Sequence, residues 1–427
     1  MYCIALRPEV IGGVAAKLAG VAALVLASRF GASSRDWGSR RAAEHARIAP
    51  SSIMPKILYL VTEDWFFVSH FLPMAQAARD CGMQVAVATR VREDGERLKA
   101  EGFSVIAIES RRGSFSPWRS LRDFIQALKI VREARADIVH CIALRPVVIG
   151  GVAAKLAGTG ALVLAPTGLG HLWIERSITV RLARKIASAI VGSWLRGPRT
   201  RYLFENRDDP GEFGLDPDDA DVTIVGGAGV DPEKFPRREE PAAPPLKVAV
   251  VARMIRPKGI VESVDAVQRA RAAGAPIELH LFGDPDPDNP RSIPQATLAQ
   301  WSKQPGIAWH GHEADVARVW REHHVAMLLS HREGLPRSLV EAAAAGRPIV
   351  ATDVPGCREV ARDGKEGILV PLGDSEAGAR ALTALAADQA LRRRLGAAAN
   401  ARFLERFTAA AVRETVRDVY RSLVPPP

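Results

Sequence analysis

VAMLLSHREGLPRSLVEAAAAGRPIVATDV, residues 325–354, contains a strand, a loop, a helix and a second strand in thirty residues. The run VAMLLS (325–330) is almost wholly apolar, as a strand buried on both faces must be. A short polar loop with Gly334 follows, and Pro336 suits the first position of a helix. Leu339, Val340 and the small residues Ala342 to Ala345 continue the helix, and Gly346 stops it. PIVATD (348–353) is then a second apolar run. Two buried strands joined by a helix predict a right-handed βαβ crossover in a parallel sheet.

The same alternation extends in both directions. Upstream the runs are KILYLVT (56–62), QVAVAT (84–89), SVIAIES (104–110), DIVHCI (137–142), ALVLAPT (161–167), RYLFEN (201–206) and VTIVGG (222–227). REEPAAPPLK (238–247) interrupts the pattern with proline and charge, which marks a linker. The alternation resumes with LKVAVVAR (246–253), IELHLFG (277–283) and IAWHG (307–311), and closes with GILVP (367–371). The expected fold is α/β, with two Rossmann-like doubly wound domains, 54–240 and 241–427, facing across a cleft. The C-terminal helix is expected to pack back on the first domain. Ligands of such sheets bind beyond the carboxyl ends of the strands.

One segment occurs twice. CIALRPEVIGGVAAKLAGVAALVLA (3–27) returns at 141–165 with changes only at Glu9/Val147, Val21/Thr159 and Ala22/Gly160. The second copy sits inside the first domain, whereas the first lacks the strand and helix that would complete its packing. Residues 1–53 therefore read as an N-terminal extension arising from partial duplication, with a membrane-surface anchor as the rival reading and the domain proper starting near Met54.

Composition narrows the classes of function. The chain has 427 residues, 47% hydrophobic and 25% charged, the balance of a globular protein. Its four cysteines include no Cys-x-x-Cys pair, which argues against a disulfide framework or zinc site and for a reducing, cytoplasmic setting. No apolar run is clean enough to span a bilayer, because Ile4 to Ala27 contains Arg7, Glu9 and Lys17. The formal charge of +10 favours an anionic partner, and no nucleic-acid motif accompanies it. Arg181, Arg184, Lys185, Arg196 and Arg199 alternate with Ile178, Val180, Leu182, Ile186 and Ile190, a pattern suited to an anionic membrane surface or to an ordinary half-buried helix.

Two stretches can carry chemistry. Glu333 and Glu341 flank a helix start at which the backbone N–H groups of the first turn, with Arg337 and Ser338, attract phosphate or sugar oxygens. Carboxylates accept hydrogen bonds from sugar hydroxyls. In ARMIRPKG (252–259), Arg253 and Lys258 follow a strand and can neutralise a diphosphate. Neither TEDWFF nor ARMIRPKG has the glycine fingerprint of a nicotinamide site.

With these motifs the sequence resembles the retaining GT-B glycosyltransferases of glycosyltransferase family 4, in the bacterial capsule and surface-polysaccharide branch. The resemblance runs from Met54 to the C-terminus. RMIRPKG (253–259), FGDPDPDNP (282–290), EGLPRSLVE (333–341), GRPIVATDVPGCREV (346–360) and GILVPLGD (367–374) carry it in the second domain. TEDWFFVSHFLP (62–73), TGLG (167–170), FENRDD (204–209) and GAGVD (227–231) carry it in the remainder. It implies a nucleotide diphosphate sugar on the second domain, with Arg253 and Lys258 on the diphosphate. Glu333 would contact the donor sugar and Glu341 the ribose, while Gly334, Leu335, Arg337 and Ser338 hold the phosphate–sugar junction.

The resemblance further implies retention of configuration without a metal or other cofactor, and a polyprenyl-diphosphate-linked saccharide acceptor on the first domain. The enzyme would then work at the inner face of the plasma membrane. His70, Thr167, Gly168, Gly170 and His171 are the acceptor-side candidates. Thr167 stands where many relatives have a histidine, and threonine cannot carry an imidazolium charge. His70 also reads as a polar residue at a helix start, and Trp65, Phe66 and Phe67 as core. A sugar-nucleotide epimerase or hydrolase, or a non-catalytic sugar-nucleotide-binding protein, are the alternative functions on the same fold.

Overall fold

A computed structural model describes residues 54–109, 117–167, 169, 178–287 and 289–424. The first copy of the repeated segment, and with it the duplication reading of residues 1–53, lies outside the described residues. The chain forms two compact units.

The first unit is built on strands β1 (Lys56–Glu63), β2 (Gln84–Arg90), β3 (Ser104–Ala107), β4 (Ile138–Ile142), β5 (Ala161–Ala165), β6 (Thr200–Phe204) and β7 (Val222–Ile224), in the order β3-β2-β1-β4-β5-β6-β7. From β3 to β6 each neighbouring pair is parallel. β4 and β5 are buried throughout, as their uninterrupted apolar runs require. Residues 416–424 also belong to this unit. Tyr420 is fully buried there, its hydroxyl 2.7 Å from that of Tyr59 and 3.0 Å from His140 Nδ1.

The second unit carries β8 (Leu246–Val251), β9 (Ile277–Phe282), β10 (Ile307–Trp309), β11 (Val325–Leu328), β12 (Ile349–Thr352) and β13 (Gly367–Val370), ordered β10-β9-β8-β11-β12-β13 and parallel throughout. Its strands feed two cores by strict alternation. Val248, Val250, Leu279, Leu281, Val325 and Met327 face one side, with the helix Ile260–Ala272. Ala249, Phe282, Ala326, Leu328, Ile349 and Ala351 face the other, with the helix Arg337–Ala344. The two helices therefore cover opposite faces, the defining feature of a doubly wound sheet.

The units divide at 223/224, not at 240/241, and residues 205–209 also go with the second. The proline-rich stretch is thus no boundary. Residues ahead of it are already anchored: Phe235 and Val230 lie in the second core, and Val230 exchanges backbone hydrogen bonds with Phe407 and Ala409. Composition could mark the stretch as irregular but not say where it docks.

Gly259 sets the approach of the Arg256–Lys258 turn to the end of β11. Its φ is +68°, and a Cβ built there would lie 1.9 Å from the Leu329 carbonyl oxygen. Alanine would have to displace backbone as well as adopt an unfavourable conformation. Gly259→Ala should therefore cost about 1–3 kcal/mol, the usual range for forced overpacking. An unchanged melting temperature would contradict this reading of the turn.

Candidate functional site

β8 and β11 are neighbours whose following helices leave on opposite faces, so the loops at their carboxyl ends diverge. Such a switch point is where open α/β sheets hold ligands. Lys258 comes from the loop after β8 and Glu333 from the loop after β11. Lys258 Nζ donates to both Glu333 oxygens, at 2.6 and 2.8 Å, and Ser330 Oγ donates to Glu333 Oε1 at 2.5 Å. The Glu333 side chain is 9% exposed and the Lys258 side chain 25%, so each charge compensates the desolvation of the other.

A second layer holds this loop. The fully buried Asn206 donates to the Gly334 carbonyl and to Asp209, both at 2.9 Å. Arg332 donates to the other Asp209 oxygen at 2.7 Å, and Arg358 donates to Asp208 at 2.9 Å. Glu205 completes the cluster. Burial, then the charges of Asp209 and Glu333, push its carboxyl up to about 8. The motif FENRDD shows these residues in the sequence, but only the fold brings them to Gly334.

The helix Arg337–Ala344 begins beside the pair. Pro336 precedes it with φ −74° and ψ 105°, in the extended conformation of a flanking residue, one position earlier than its sequence reading placed it. No side chain caps this end. The N–H groups of Leu335 and Ser338 make no backbone hydrogen bond among the described residues. Leu335 also packs over Gly227 of the GAGVD loop. Glu341 is buried and accepts from Arg337 Nε at 2.8 Å. Burial raises its pKa, against the opposing pull of Arg337.

Arg253 stands outside this cluster. Its side chain is 61% exposed and donates to Asp286 at 2.6 Å. The acid of the FGDPDPDNP loop, read from sequence as a plain turn, claims the arginine because both loops leave adjacent strands, β8 and β9.

The first sheet has its own switch point, between β1 and β4. A cavity of about 70 Å³ there is lined in part by Thr62, Asp123, Arg145 and Gly150. Arg145 pairs with Asp123. Ala143, just after β4, has φ 72°, an uncommon conformation for a residue with a side chain.

His70 closes the helix Asp64–His70 and does not start one; its Nδ1 lies 2.7 Å from Ser69 Oγ. The helix starts earlier because Asp64, buried and holding the N–H groups of Trp65, Arg92, Glu93 and Asp94, turns the chain at the end of β1. Of the three aromatics, Phe67 is core but Trp65 is 41% exposed. Thr167 is buried, and its hydroxyl has no hydrogen-bond partner among the described residues. Gly168, Gly170 and His171 lie outside the described residues.

Glu205 gives a test of the second layer. Its native pKa lies above the ordinary 4.5, so the folded state holds the proton more tightly. Stability should then fall as pH rises from the ordinary glutamate value to about 8 and level off above it. Glutamine cannot ionise, so Glu205→Gln should gain in melting temperature over the parent at pH 9 relative to pH 5. Parallel melting curves across that range would disprove the assignment.

Comparison with known proteins gives an independent reading. Residues 56–191 match the family described as "Glycosyl transferase 4-like", and residues 245–388 match "Glycosyl transferases group 1". The chain is 23% identical over 340 residues to the N,N'-diacetylbacillosaminyl-diphospho-undecaprenol alpha-1,3-N-acetylgalactosaminyltransferase of Campylobacter jejuni, covering 76% of this chain and 88% of that protein. It is 24% identical over 177 residues to the capsular polysaccharide biosynthesis glycosyltransferase CapM of Staphylococcus aureus, covering 42% of this chain and 46% of that one. Among solved structures, Anabaena Alr3699/HepE in complex with UDP and glucose superposes with a TM-score of 0.64 at 17% identity, over 86% of this chain and all of that one. With a glycosyl transferase 4-like domain at 56–191 and a group 1 domain at 245–388, the chain is a glycosyltransferase of the GT-B fold.

Proposed function

We propose that the enzyme transfers a sugar, with retention of configuration, from a nucleotide diphosphate donor to a lipid-linked saccharide in surface polysaccharide assembly. The observation that carries this reading is the shielded Lys258–Glu333 pair at the second sheet's switch point, beside the open N–H groups of Leu335 and Ser338. A diphosphate placed there meets Lys258, and Arg253 reaches it by exchanging Asp286 for phosphate. Glu333, relieved of part of its lysine contact, accepts from a hydroxyl of the donor sugar. Glu341 accepts from the ribose diol in place of Arg337.

In the reaction the bond from the anomeric carbon to the phosphate oxygen breaks, and a bond to the acceptor oxygen forms on the same face. The departing phosphate oxygen takes the acceptor's proton. Charge accumulates on the leaving group, where a positioned cation lowers the barrier. The two basic side chains supply that charge, so no metal or other cofactor enters the step.

The acceptor half of the proposal has two supports. The Campylobacter relative is named for a diphospho-undecaprenol acceptor. In the first unit, the helix Ile178–Ala189 buries Val180, Ala183 and Ala187 and leaves Ile178 and Leu182 exposed beside the exposed Arg181 and Lys185. Exposed apolar residues among cations suit the inner, anionic face of the plasma membrane. No helix among the described residues is long and apolar enough to cross a membrane.

Lys258→Ala should lower kcat by about 100-fold or more, as loss of a charge-stabilising group typically does. Glu341→Ala should weaken binding of the free nucleotide by about tenfold, the scale of a charged hydrogen bond. Steady-state kinetics and nucleotide titration check both, and unaltered values would overturn these roles. Co-sedimentation with vesicles containing anionic phospholipid should fall sharply for Leu182→Glu combined with Lys185→Glu. Equal sedimentation would remove this helix as the membrane contact.

A further inference from the structure

The opposite edge of the second sheet carries a different cavity. His324 leads into β11, and Arg347 and Pro348 lead into β12, so these residues sit at the amino ends of strands whose carboxyl ends bear Glu333 and the donor loops. Together with residues 237–240 they line a hollow of about 410 Å³. That volume is in the range of small-molecule sites.

Its floor is an arginine. Arg347 is 1% exposed. Nε donates to the Trp320 carbonyl at 2.6 Å and Nη2 to the Glu239 carbonyl at 3.1 Å. Both partners are neutral backbone oxygens, so no carboxylate hydrogen-bonds to this guanidinium. Nη1 has no hydrogen-bond partner among the described residues. Burial lowers its pKa to about 10, which leaves it charged at neutral pH.

The walls add charge of the same sign. Arg392 is buried but satisfied by Glu240, at 2.9 and 3.1 Å. Arg393 is 67% exposed and only 3.8 Å from the same carboxylate. Arg237 and Arg238 have no ion-pair partner among the described residues. The stem of Arg237 crosses Gly346, where a Cβ would lie 2.9 Å from its Cγ and where φ is +73°. Five arginines against Glu239 and Glu240 leave a formal charge of +3 around the hollow. His324 adds nothing to it: Nδ1 accepts from the Lys247 N–H, Nε2 faces the Pro241 carbonyl, and burial holds the ring neutral.

We propose that this hollow is a binding site for a small phosphorylated anion, separate from the donor site. A desolvated guanidinium with an open donor, under partly unpaired arginines, matches the oxygen array of a phosphate or pyrophosphate. Bound there, the anion ties residues 237–240 to the helices and strands beneath them.

Inorganic pyrophosphate is the probe, titrated calorimetrically into the full chain at 0.15 M salt. Because it also fits the Lys258 loop, the parent for the test is Lys258→Ala, with no nucleotide present. That protein should bind one pyrophosphate, and more weakly one orthophosphate. Adding Arg237→Ala and Arg393→Ala, or Arg238→Glu alone, should weaken binding by about tenfold or more, the scale of lost charged hydrogen bonds. All three positions are exposed, and an unchanged melting temperature shows that the fold is kept. Absence of binding to Lys258→Ala, or an affinity indifferent to the three arginines, would overturn the site.

Discussion

Lys258 and Glu333 reach each other across the reversal point of a parallel sheet, and the surrounding architecture serves that contact. The lysine needs a turn that brings it over the end of β11, which only a glycine at 259 permits. The glutamate needs a loop that neither collapses nor drifts, and Asn206 and Asp209, from a segment far away in sequence, restrain it through Gly334 and Arg332. Removing one member would leave the other charge buried without a counterion, a larger loss than the pair's net contribution to stability. The contact is therefore a stored arrangement of charge as much as a bond. Under the proposed mechanism, its value to catalysis is that the ammonium is already desolvated and placed before any substrate arrives.

The acids behind the pair adjust its electrostatics. Glu205, Asp209 and Glu333 cannot all ionise cheaply in one partly buried neighbourhood. The strain falls on Glu205, whose proton is retained near neutrality. Asp209 instead finds Arg332 and Asn206, and Glu333 finds Lys258 and Ser330. The site thus separates carboxylates that are paired from one that stays largely protonated, by environment alone.

How much of this was legible beforehand follows from the range of each interaction. Each of the thirteen apolar runs contains a strand, because burial on both faces leaves an uninterrupted signature in local sequence. The placement of Glu333 on a loop and of Glu341 on the following helix was legible because both follow from local sequence. The pairing of Arg253 with Asp286 was not legible because the acid comes from a neighbouring strand's loop, and adjacency of strands is not a local property. The division at 223/224 was missed because the break in composition comes later, at 238–247, while Val230 ahead of it is held by contacts to Phe407 and Ala409. His70 was put at the wrong end of its helix because Asp64 binds a loop almost thirty residues on, which no spacing rule shows. Asn206 and Gly334, 128 positions apart, are the extreme case.

The polypeptide passes between its two compact units four times, at 204/205, 209/210, 223/224 and 415/416. Severing any one peptide therefore cannot yield two self-sufficient halves: a fragment ending at 223 would lack the tyrosine that closes the buried hydroxyl network of its own sheet. Joining residues 1–223 end to end with a foreign second unit would leave the same vacancy. A replacement of the second unit that preserved both units would have to take residues 205–209 with it and leave the tail with the first.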